Sequence, residues 1–183
     1  MAAHLQLKIE QLRTAIHGLG LEVKQVLAAS IDAALTGDHA LAEQVIEQHA
    51  RIGLIEAEIE EQALHTLALE QPVACDLRFM LAALKTNNDL TCIVDLAAGI
   101  ARQVRPRPEA FRIPEMTRGL DHMAEKVRQM VDRALDAFNR TDPDAADAVC
   151  EADAVVDGLY ASAEQDTARL IHQQPDRSEQ WMS

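Results

Sequence analysis

This sequence predicts an all-α protein built as tandem antiparallel three-helix bundles, the second of them incomplete, and three observations carry the prediction. Hydrophobic residues make up 48% of the 183-residue chain, aromatics only 3%, and there are 7 glycines. A core of Leu, Ile, Val and Ala with so few glycines reads as helical rather than as a sandwich or barrel. The prolines form the second observation: Pro72, then Pro106, Pro108 and Pro114, then Pro143, then Pro175, all between long periodic segments. Proline is tolerated in the first helical turn and disfavoured beyond it, so each marks a boundary. Third, residues 23–61 lie over 127–165 without a gap and share eleven identities, among them Asp38 with Asp142, Val45 with Val149 and Glu47 with Glu151. A repeat of this length is one supersecondary unit used twice.

The first helix is expected over 4–36, with Gly18-Leu19-Gly20 as the place where it breaks or bends. The second, over 38–70, follows Gly37 and takes Asp38 as its N-cap. Its Leu41, Val45, Ile52, Ile55, Ile59 and Ala63 recur at three- and four-residue spacings, one buried stripe. The third, over 72–104, opens at Pro72 and is apolar almost all round. Leu77, Leu81 and Leu84 line one side, and Phe79, Leu90, Ile93, Ala97, Ile100 and Val104 the other, which marks it as central to its bundle. Asn88, Thr91 and Asp95 continue the Leu77 stripe and are expected to face inward, where polar groups need partners.

The Pro- and Arg-rich segment 106–113 is the expected hinge between a first unit, 1–105, and a second, 114–183. Arg105, Arg107 and Arg112 are placed to cap the end of the third helix. Two helices follow, over 114–140 and 142–173. In the latter, Ala145, Val149, Val156, Leu159 and Ala163 repeat the stripe of the second helix. Short loops between long helices imply antiparallel neighbours. A counterpart of the third helix is expected to be missing, with 177–183 standing only for its opening. That leaves an apolar groove, and exposed stripes of this size find partners. A homodimer that closes the open bundles on each other is the expectation.

A net charge of −13 argues against nucleic acid, whose phosphates need clustered Lys and Arg. Glu43, Glu47, Glu58 and Glu61 read as a solvated face of the second helix. The longest apolar run, 79–84, is far short of a membrane span, and the N-terminus has no signal-peptide pattern, so a cytoplasmic protein is expected. Cys75 and Cys92 on one helix stand ~25 Å apart, too far to bridge, and with Cys150 they read as free thiols. Nucleophile motifs, glycine-rich phosphate loops and zinc spacings do not occur. None of the 7 histidines has a glutamate three residues before it, which disfavours a carboxylate di-metal enzyme. The sequence is therefore not read as an enzyme.

The stretch QPVACDLRFMLAALKTNNDL (71–90), followed by TCIVDLAAGIA (91–101), resembles the PhoU family of bacterial phosphate-signalling proteins, through Pro72, Asp76, Arg78, Asn88 and Asp89 above all. The resemblance extends to helix order and turn positions over essentially the whole chain. It implies two three-helix bundles and a regulatory adaptor that couples a phosphate ABC importer, through its ATPase, to a sensor histidine kinase. Such an adaptor represses the phosphate-starvation response and reaches the membrane only through partner proteins. The alternatives are a metal-binding helical bundle with a carboxylate di-metal site, or an accessory protein of another phosphate transporter. No basic cluster suggests phosphate itself as a ligand.

The family also carries E/D-x-x-x-D motifs associated in some members with multinuclear clusters, which implies a divalent or iron-type metal ion as the cofactor to test for. A spacing of four puts both carboxylates on one helical face. The second-helix motif of the first unit falls at His49 and Gly53, where His49 is the substitute ligand a softer metal accepts. The third-helix motif falls at Thr91 and Asp95, and the second unit keeps Asp153 and Asp157. Asp76 lies in a first turn, where the helix dipole favours negative charge. Arg78 is placed to pair with a neighbouring carboxylate or to face solvent.

Overall fold

The computed structural model describes residues 2–104 and 114–173. They form five helices, α1 (Ala2–Thr36), α2 (His39–Glu70), α3 (Ala74–Val104), α4 (Pro114–Arg140) and α5 (Pro143–Gln173). The chain divides into two compact units, Met1–Glu109 and Ala110–Ser183. The expected hinge at 106–113 and the stub at 177–183 lie outside the described residues.

In the first unit each helix packs against both others. The register follows from cross-helix bonds. His4 Nδ1 meets Glu70 Oε1 at 2.7 Å and Arg51 pairs with Glu22, so α2 runs antiparallel to α1. Asn87 Nδ2 donates to the Glu56 carbonyl at 3.0 Å and His49 Nε2 meets Asp95 Oδ1 at 2.7 Å, so α2 is antiparallel to α3 as well. On the remaining seam, Gln6 Nε2 donates to Asp76 Oδ1 at 3.4 Å, and the Arg13 guanidinium lies 4.5 Å over the Phe79 ring. Between the helices Ile16, Leu19, Val23, Val26, Val45, Ile52, Met80 and Val94 are buried to 1% exposure or less. Each such side chain stabilises the fold by about 1.5–3 kcal/mol relative to leaving it in water.

The helix α1 runs unbroken through Gly18 and Gly20, against expectation. Glycine costs a helix about 1 kcal/mol relative to alanine. Ile16, Leu19 and Val23, buried before, between and after the two glycines, outweigh that cost. The inward stripe of α3 keeps the expected Leu90, Ala97 and Val104 and otherwise differs from expectation. It is Met80, Ala83, Asn87, Leu90, Val94, Ala97, Ala101 and Val104, spaced by three and four. Leu77 and Leu81 are exposed, and with them Asn88 and Asp95. An all-round apolar helix offers several stripes, and the alanines set which side admits close approach.

Both units use the same turn. Asp38 caps α2 by accepting from the Leu41 N–H at 3.0 Å, and its own N–H returns to the Ala33 carbonyl at 3.2 Å. Asp142 accepts from the Ala145 N–H at 3.0 Å, and its N–H returns to the Ala137 carbonyl at 2.9 Å. The residue ahead of each cap is left-handed, Gly37 at φ 72° and Thr141 at φ 52°. The repeat therefore reaches the level of individual hydrogen bonds.

The second unit, as far as it is described, is an α4–α5 hairpin with Leu135 and Ala137 buried near its turn. Ala145, Val149, Val156, Leu159 and Ala163 are only half-buried. On α5, Glu164 hydrogen-bonds the exposed Tyr160 one turn earlier and raises the phenol above its ordinary value of 10.0.

Candidate functional site

The signature segment opens on a strained turn rather than on the helix itself. Gln71 closes α2 in the left-handed region at φ 45°, and Ala74 is left-handed at φ 51°. Pro72, expected as the first residue of the helix, is buried in this turn instead, and α3 begins at Ala74. With both flanking residues left-handed, the chain cannot pass directly from one helix into the next. Asp76 lies in the first turn of α3, as expected from the dipole argument, and its N–H reaches the Val73 carbonyl at 3.2 Å. Arg78 and Asp89 are exposed on α3. Asn88 is exposed too, its amide 3.9 Å from Cys92 Sγ one turn on. The signature is thus mostly an outward face, joined by the exposed Leu69, Val73, Leu77 and Leu81.

Asn87, which sequence reasoning passed over in favour of Asn88, is the buried polar residue of this helix, at 1% exposure. Its amide ties α3 to the Glu56 carbonyl, while its Oδ1 has no partner. The signal was present: residue 87 falls on the stripe of Met80, Ala83 and Leu90, and residue 88 does not.

The positions expected to hold metal come together only in part. Across the α2–α3 seam His49 faces Asp95, and the antiparallel register sets Gly53 opposite Thr91. His49 is half-buried and Asp95 is exposed. Gly53 brings no donor atom, and Thr91 brings a neutral hydroxyl, not a carboxylate, that donates to the Asn87 carbonyl at 3.1 Å. Asp153 and Asp157 lie exposed on α5. Among the described residues no group of three or more His, Cys, Asp and Glu side chains is placed to hold an ion. A multinuclear cluster needs several carboxylates around each ion, since hard cations take six to eight oxygen ligands. The residues at the α2–α3 seam do not fit one.

The family model described as the PhoU domain matches residues 16–104 and 120–183, one stretch in each unit. The chain belongs to the PhoU family. A phosphate-specific transport system accessory protein PhoU homolog of Pseudomonas putida is 32% identical over 168 residues, covering 92% of this chain and 66% of the relative. The chain thus spans just under two thirds of that relative's length. The crystal structure of PhoU from Pseudomonas aeruginosa superposes with a TM-score of 0.91 at 30% identity, over 97% of this chain and 85% of that one. The phosphate transport system regulatory protein PhoU from Streptococcus pneumoniae gives 0.85 at 26% identity, over 93% and 80%. The PhoU resemblance read from residues 71–101 therefore holds for the fold of both units, and the all-helical expectation with it.

Proposed function

We propose that this PhoU-family chain is a regulatory adaptor of phosphate uptake, without chemistry of its own, that couples a phosphate importer's ATPase to a sensor histidine kinase and represses the starvation response. The observation that carries this reading is the match to PhoU along nearly the whole chain, in sequence and in fold, with relatives named as accessory or regulatory proteins of phosphate transport. An adaptor works through surface contacts. The signature end of the first unit exposes Leu69, Val73, Leu77 and Leu81 together, the kind of apolar area that contacts use. No helix among the described residues is long and apolar enough to cross a membrane. In this reading the protein works at the cytoplasmic side and meets the membrane through its partners. It also self-associates as a homodimer through the half-buried stripe of α5.

Pulldown with the importer ATPase and the kinase tests the proposal. The expected result is capture of at least one of them, weakened in a Leu77→Glu, Leu81→Glu variant that keeps its helical content. Absence of binding to either partner would sink the adaptor reading. Sedimentation decides the dimer separately: a monomer at high concentration contradicts it.

A further inference from the structure

We propose that in the first unit a direct His49–Asp95 hydrogen bond takes the place of a metal ion, joining α2 to α3 so that the bundle needs no cation at this seam. Four positions that the PhoU family assigns to its acidic motifs meet at this seam, whatever the chain's partners are. Those positions, 49 and 53 on α2 and 91 and 95 on α3, are where E/D-x-x-x-D motifs would set carboxylates face to face. Facing carboxylates repel, and a cation between them turns the repulsion into a bridge. Here the four positions carry a single carboxylate, Asp95, so no facing pair needs bridging.

Three features of the site support this. First, His49 Nε2 and Asp95 Oδ1 are 2.7 Å apart, a hydrogen-bond contact. Two ligand atoms on one tetrahedral ion stand roughly 3.3 Å apart, so an ion would have to prise this pair open. Second, the other two positions have lost their ligands: Gly53 has no side chain, and Thr91 Oγ1 is turned back on its own helix to the Asn87 carbonyl. Third, the nearest additional soft donor on α3, Cys92, is exposed and contacts Asn88, and it does not join the pair into a three-donor group. One imidazole and one carboxylate already bonded to each other are a poor start for any ion that asks for three or four protein ligands. The imidazole N–H supplies the attraction that an ion would otherwise provide. The neighbouring Asn87–Glu56 bond holds the same two helices two turns away, so the seam is stitched at two points without metal.

The test uses the full chain, incubated separately with zinc, manganese and ferric ions, dialysed, and assayed for bound metal and melting temperature with and without EDTA. The expected result is that EDTA leaves the wild-type melting temperature unshifted and that Asp95→Asn carries as much metal as wild type. Metal retained equally by both lies elsewhere in the chain and supports the proposal. A variant with His49→Glu, Gly53→Asp and Thr91→Glu recreates four facing carboxylates with native Asp95. A Cβ at Gly53 meets no atom within 4 Å, so the seam has room for the change. This variant is expected to acquire metal and to melt higher when loaded. If it does not fold, the comparison of wild type with Asp95→Asn still decides. Metal that wild type holds and Asp95→Asn loses, or a drop in melting temperature on EDTA that wild type shows and Asp95→Asn does not, overturns the proposal.

Discussion

The turns at Asp38 and Asp142 are close copies, yet the helices they start differ in what they bury. Val45, Ile52 and Ile59 of α2 are 2% exposed or less. The equivalent Val149, Val156 and Ala163 of α5 are only half-buried, and Ala146 is exposed where Ala42 is fully buried. The sequence stripes are alike, and the hydrogen bonds that launch them are alike. What differs is α3, which covers the groove between α1 and α2, whereas the described residues of the second unit pack only as a pair. Local signals set where a helix starts. Full burial of the stripe requires the third element.

The sharpest way to break this comparison is to cut the same stripe in both units. Ile52→Ala is expected to destabilise by about 2–5 kcal/mol, the range for a buried aliphatic truncated in a packed core. Val156→Ala, at the matching position, is expected to cost about 1 kcal/mol or less, since a half-buried site loses less on truncation. Urea denaturation of the two variants measures the difference, and equal losses would show that the two stripes are buried alike. The caps should behave in the opposite way. Asp38→Ala and Asp142→Ala are each expected to cost ~1 kcal/mol, because each removes the same bond to an N–H three residues on. Circular dichroism melts of the pair would reveal any asymmetry. Smallest is the seam: His49→Ala is expected to cost roughly 0.2–1 kcal/mol, as for partly exposed pairs. A loss several times larger would mean that the seam carries far more of the bundle than its exposure allows.

Much of this fold was legible in the chain. Asp38 and Asp142 announced their caps, the prolines placed most boundaries within a residue or two, and the stripe of α2 named its own buried face. What could not be read was set by tertiary contact. The α3 pattern offered several possible inward faces, and only packing against α1 and α2 selected the one through Met80 and Val94, leaving Leu77 outside. The Gly18–Gly20 break failed for a related reason, since neighbours that bury Ile16 and Leu19 keep α1 continuous. Within the candidate site, the spacing told that His49 shares a helical face with Gly53, and Thr91 with Asp95, and the family resemblance set the two faces against each other. The spacing could not tell that His49 would bond Asp95 directly, because that depends on the register between two helices and not on the spacing within either.

Amide hydrogen exchange on the full chain tests the central claim most directly, since it reports local stability in both units at once. The account predicts that the amides of Val45, Ile52 and Ile59 exchange far more slowly than those of Val149, Val156 and Ala163, while the capped amides of Leu41 and Ala145 behave alike. Equal protection along α2 and α5 would contradict it, because the repeat would then be matched in packing as well as in its turns.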